Sequence, residues 1–272
     1  MTGPIFIAFV LLMIGIYMAV YNLNGMYPSF EVVLASVSFI YMFGIPVLTM
    51  RSIAEEKHSR TDQLLYSLPM SVTDIVMAKY FAMITVLAIP CIVAAFYPLI
   101  LCSFGNVHLL PAYATLLAFF LLGAALIAIG MFISSLTESQ VIAAVISIGI
   151  MVLINFMAGI STLFSDSAAA SLAGVIVIAI LIGLVVHNMI KNSVVTACVI
   201  AVISAGAVIV YIFDSSLFEG LIPGMFSAFA LFDRLSSFQN GMFDLTAIVL
   251  YISVIALFVY FTVQSMEKKR WN

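Results

Sequence analysis

RSIAEEKHSRTDQLLYSLPMSVTDIVMAK, residues 51–79, is the stretch on which the fold turns. It holds eight of the chain's 21 charged side chains in 29 of its 272 positions, and apolar runs border it on both sides. A chain that is 65% hydrophobic and 8% charged, with mean hydropathy +1.29, has too little polar surface to cover a soluble globule. It reads as a polytopic membrane protein, and 51–79 as a connection that leaves the bilayer.

Working outward, apolar runs of about 20 residues can cross a hydrocarbon core of roughly 30 Å. Eight are present, near 4–21, 31–50, 78–102, 111–136, 139–164, 168–190, 193–213 and 244–266. Helices are expected throughout, because lipid offers no partner to open backbone groups. The fold class is therefore all-α: one membrane domain over 1–272, a polytopic bundle of about eight transmembrane helices. The first run lacks a basic leader and a small-residue cleavage site, so it reads as a retained helix entering the membrane almost at Thr2. Cys91, Cys102 and Cys198 fall inside spans at no metal-ligand spacing and read as packing residues.

Charge then orients the bundle. With the N-terminus cytoplasmic, Arg51, Lys57, Arg60, Lys79, Lys191, Lys268, Lys269 and Arg270 face inward and Arg234 alone faces outward, in accord with the positive-inside rule. The expectation is a cell (plasma or inner) membrane protein with both termini cytoplasmic. The outward acids, Glu31, Asp166, Asp214, Glu219, Asp233 and Asp244, read as a solvated rim.

Within 51–79, a polar helix-compatible run places Leu64, Leu65 and Leu68 on one side and stops at Pro69, whose ring disfavours helix at the preceding residue. Ser71-Val-Thr-Asp74 has the capping-box pattern, with Met70 and Ile75 spaced as a hydrophobic staple. The segment is thus expected to be a short amphipathic helix on the inner membrane surface, followed by a capped start to the third span. Glu55 and Glu56 are adjacent, so on a helix they point roughly 100° apart and are poorly placed as catalytic partners. Ion pairs at i,i+4, Glu56 with Arg60 and His58 with Asp62, are the better account.

A second connection, 214–243, interleaves Phe218, Phe226, Phe229, Phe232, Phe238 and Phe243 with Gly220, Pro223, Gly224 and Gly241. Its aromatics suit an interface and its breakers exclude one long helix, so one or two short helices on or in the outer leaflet are expected. Pro46, Pro90 and Pro98 can kink their helices, and Gly123 and Gly130 with Ala124 and Ala125 let another helix approach closely. Asn155 is expected to bond across helices.

No P-loop occurs, so ATP is not bound by that device. His-Glu-x-x-His, Gly-x-Ser-x-Gly and clustered His/Cys ligands are also absent. Nor is an ionisable group placed at mid-membrane depth, as an ion-coupled carrier requires. Catalytic, metal and cofactor residues are therefore assigned to no position.

Three blocks carry a family resemblance. The first is Arg51 to Lys79, with Ala54-Glu55-Glu56, Thr61, Leu64-Leu65, Pro69, Ser71 and Lys79. The second is Gly123-Ala-Ala-Leu-Ile-Ala-Ile-Gly-Met-Phe-Ile-Ser-Ser-Leu-Thr-Glu-Ser-Gln140. The third is Phe238-Gln-Asn-Gly241-Met-Phe-Asp244-Leu, followed by Tyr251, Phe258, Thr262, Glu267 and Arg270-Trp271. Together they resemble the type 2 ABC transporter permeases, and more narrowly the subfamily that includes the gliding-motility-associated permease.

The resemblance implies an exporter permease in which two permease chains pair and each docks a separate cytosolic ABC ATPase that carries ATP and Mg. It implies that the loop between the second and third spans is the coupling helix. Arg51, Glu55, Glu56, Arg60, Thr61 and Asp62 would then face the ATPase or brace the elbow, Leu64, Leu65 and Leu68 would anchor it, and Pro69, Ser71 and Asp74 would cap it. It implies six core spans, so 168–213 reads as an added hairpin, and members usually carry a basic segment before the first span. A membrane actuator or assembly subunit driven by the same ATPase is the alternative; nucleic acid is no partner in either.

Overall fold

The computed structural model of the chain describes residues 2–61, 70–103, 107–190 and 193–270, and their side chains except those of 181–199, 269 and 270. Asp62, Leu64, Leu65, Leu68, Pro69 and Lys191 lie outside the described residues. Every regular element described is helical.

Helices occupy all eight expected positions. The first is α1 (Thr2–Met18), which runs into a π-helical turn at Ala19–Asn24. The second combines α2 (Phe30–Val37), a 3-10 turn and α3 (Tyr41–Thr49). After the short α4 (Ala54–His58) come α5 (Val72–Ala94) and α6 (Phe96–Leu101), then α7 (Leu109–Leu136) and α8 (Gln140–Ser161). Then follow α9 (Ala168–Ile190), α10 (Ser193–Phe213), the short α11 (Leu221–Ala228) and α12 (Arg234–Gln239), and finally α13 (Leu245–Arg270). Six stretches among the described residues are long and apolar enough to cross a membrane: Thr2–Asn24, Phe30–His58, Val72–Leu101, Leu109–Leu136, Gln140–Ser161 and Leu245–Lys268.

The chain divides into two compact units. In the first, residues 1–155 and 231–272, α7 is the axis and packs against α13, α3, α5, α2 and α12. Its sequence is apolar on every side, the pattern of a helix enclosed by others, and Leu122 to Met131 are buried without a break. The small residues expected at a close approach do provide one. A Cβ added at Gly130 would stand 2.4 Å from Thr49 Oγ1, and one at Gly123 would stand 2.8 Å from Leu87 Cδ2.

Helices α3 and α5 run on through their prolines, and the chain breaks only ahead of the third. Pro46 lies inside α3, Pro90 inside α5, and Pro98 follows the break at Ala95, whose carbonyl accepts from the Tyr113 hydroxyl at 3.1 Å. At the end of the bundle away from the elbow, α12 seats Leu235 and Phe238 in the core, and Thr115 Oγ1 donates to the Phe238 carbonyl at 3.2 Å. Asp244 caps α13 by accepting from Thr246 N–H at 2.9 Å.

Two expectations fail here. Glu31, read as a rim residue, is 5% exposed in the first turn of α2, where free N–H groups and the positive end of the helix dipole suit a carboxylate. Asn155 is half-buried, and no described residue bonds its amide across helices.

The second unit, residues 156–230, is built on the hairpin of α9 and α10. Gly174 admits Ile222 of α11, and Phe164 stacks on Phe226 at 4.9 Å. Gly220 takes φ +68° to turn the chain while its N–H donates to the Asp166 carbonyl at 3.0 Å. The 214–243 connection thus holds two short α-helices, divided between the units.

Candidate functional site at the elbow

The charged segment leaves α3 through a tight turn in which Ser52 N–H and Oγ both donate to the Thr49 carbonyl, at 3.0 and 2.8 Å. The first turn of α4 is then capped by a residue 80 positions away. Ser134 Oγ, near the end of α7, accepts from Ile53 N–H at 3.3 Å and Ala54 N–H at 3.1 Å, and donates to the Met50 carbonyl at 3.2 Å. The segment offers no side-chain cap of its own at Ile53.

Helix α4 ends sooner than its composition suggests. Ser59 Oγ donates to the Glu55 carbonyl at 2.8 Å, and Arg60 turns to φ +55°. Thr61 N–H then reaches the Glu56 carbonyl at 3.0 Å and Arg60 N–H reaches the Lys57 carbonyl at 3.2 Å. This is a Schellman ending, with arginine at the left-handed position where glycine is usual. It corrects the i,i+4 expectation: beyond the end of the helix, Arg60 no longer follows the turn above Glu56.

Glu56 pairs instead with Lys79, two turns into α5. The same ammonium donates to the Ser52 carbonyl at 2.6 Å, so one lysine ties both sides of the elbow to the third span. Glu56 Oε2 is buried without a hydrogen-bond partner among the described residues. The cap on α5 is present: Ser71 Oγ accepts from Asp74 N–H at 3.1 Å. Its return arm differs from a capping box, since the Asp74 carboxylate accepts from the Ser71 hydroxyl at 2.5 Å. Ile75 is buried while Met70 stays 47% exposed, so the staple does not shield both ends.

Sequence reasoning missed three residues: Lys57, Ser134 and Ser135. Lys57 is 6% exposed, and its ammonium donates to the Ser135 carbonyl, which Ser265 Oγ of α13 approaches at 3.5 Å. The only hint in the sequence is the i,i+3 placement of Ala54 and Lys57, both turned inward on α4. Arg51, Glu55, His58, Ser59, Arg60 and Thr61 are exposed. The elbow therefore has an inner face tied to α5 and α7 and an outer face of exposed charges, with the Ser59 and Thr61 hydroxyls bonded to each other and to the carbonyls of Glu55 and Glu56. Among its described residues no nucleophile is set beside a general base.

Fold and site define a class: a multi-pass helical membrane protein with a structured polar elbow after its second span. Residues 22–174, more than half of the chain, match the family model described as ABC-2 family transporter protein. The chain belongs to the ABC-2 transporter family and is a permease component, the membrane part of an ABC transporter rather than its catalyst. Neither the curated proteins nor the solved structures compared contain a match.

Proposed function

We propose that this chain is the permease of an ATP-driven exporter, pairs with a second permease chain, and is driven by a separate cytosolic ATPase docked on the elbow. The ATPase carries the ATP and Mg. Both termini and the elbow face the cytoplasm, and 168–213 is an addition to a six-helix core, in a chain closest to the gliding-motility-associated permeases.

The observation that carries this reading is the two-faced elbow. Arg51, Glu55, Arg60 and Thr61 are displayed on a turn whose other side is fixed to two membrane helices, an arrangement able to receive a push and pass it inward. A merely solvated loop has no need of a buried lysine and a cap supplied by another helix.

Co-expression with the ATPase encoded beside this chain, followed by purification and assay of ATP hydrolysis, tests it. Glu55→Ala and Arg60→Ala are expected to weaken ATPase retention about tenfold, equivalent to about 1.4 kcal/mol. Glu56→Ala is expected to keep the ATPase bound but lower transport-linked hydrolysis, and the exchange of Glu56→Lys with Lys79→Glu to restore part of it. Failure of any ATPase to co-purify, or hydrolysis indifferent to all these changes, would overturn the proposal.

A further inference from the structure

Adjacent residues of α4 reach different membrane helices. Glu56 meets Lys79 of α5, whereas Lys57 is turned the other way and donates to the carbonyl of Ser135, one residue before α7 ends. The carbonyls of a helix's last turn have no N–H donor within the helix and carry the negative end of its dipole, so an ammonium is well placed there. A lysine that is 6% exposed is nevertheless costly to bury, and a solvated loop would leave it in water.

The surroundings make this more than a single cap. Ser134 Oγ takes two N–H groups of the elbow and returns its own proton to the Met50 carbonyl. One turn further into the bundle, Gly130 leaves Thr49 in direct contact with the α7 backbone. Helix α7 is also the axis of its unit, so displacement of its end would be felt by α2, α3, α5, α12 and α13.

We propose that Lys57 is a positioning residue that makes the last turn of α7 move with the elbow, so that a push on α4 reaches the fourth span as well as the third. This rests on the coupling reading above and adds the helix that receives the motion.

The test is electron–electron distance spectroscopy on the full chain in nanodiscs, with Cys91, Cys102 and Cys198 replaced and spin labels placed at His58 and Leu110. Both sites are exposed, and α7 alone, at 28 residues, spans about 42 Å, within the range of the method. The parent is expected to give one narrow distance, unchanged when MgATP is added to its complex with the ATPase. Lys57→Met is expected to widen the distribution of the free permease about twofold and to make it respond to MgATP, with Lys57→Arg restoring the narrow form.

A Lys57→Met distribution as narrow as the parent's would overturn the proposal. So would a parent distance that shifts with MgATP, a result independent of whether the variant folds. If no ATPase co-purifies with the parent, the function proposed above falls, while the free-permease measurement still decides the role of Lys57.

Discussion

Arg60 shows how one backbone angle decides what a side chain can do. At φ +55° it occupies the left-handed region, where a residue bearing a Cβ costs roughly 1–2 kcal/mol relative to glycine. The arginine is held there because the turn satisfies carbonyls that α4 would otherwise leave open. Two substitutions separate its charge from its conformation. Arg60→Gly should slow hydrogen exchange at Thr61, whose amide is bonded to Glu56, by stabilising the turn by about 1 kcal/mol. Arg60→Ala should leave exchange near the parent rate, while both lose the charge. Faster exchange in the glycine variant would mean that the guanidinium, and not the backbone, holds the turn.

Among the described α-helices, α4 is the shortest and leans on a distant residue for its cap. Five residues are too few to be a stable helix alone, so its geometry comes from Ser134 at one end and its own Schellman turn at the other. Ser134→Ala would leave two buried N–H donors and a carbonyl without their partner, at about 1–3 kcal/mol for each group left unsatisfied. Faster hydrogen exchange across residues 53–57, with the buried centre of α7 unchanged, is the expected signature. Equal protection in both proteins would show that another group takes over the cap. The capped start of α5 contrasts with this, because Ser71 and Asp74 supply it locally and could be read directly from their spacing.

For the molecule as a whole, the polar contacts of Lys57 and Lys79 lie at one end of the first unit, where Arg51 and Arg60 are exposed on the same elbow, with the end of α13 brought alongside by Ser265. Arg234 sits with α12 at the other end, where Thr115 holds Phe238. In a chain with one cysteine, a membrane-impermeant maleimide should label position 110 in intact cells and position 58 only after permeabilisation. The reverse pattern would invert the proposed orientation and remove the elbow from the reach of a cytosolic ATPase.

The sequence by itself determined the helical class, the positions of the eight apolar helices and the existence of a charged elbow after the second. Those are properties of local composition, because the length of an apolar run and the pattern of a cap need no distant partner. The tertiary structure alone decided which charges of the elbow turn inward. Glu56 passes over a residue four positions away for one 23 positions away, and Lys57 is buried while Glu55, two residues before it, is exposed. The reason is geometric: α4 ends before Arg60 can come round, and the unsatisfied carbonyls of α7 stand where only folding of the whole bundle could bring them.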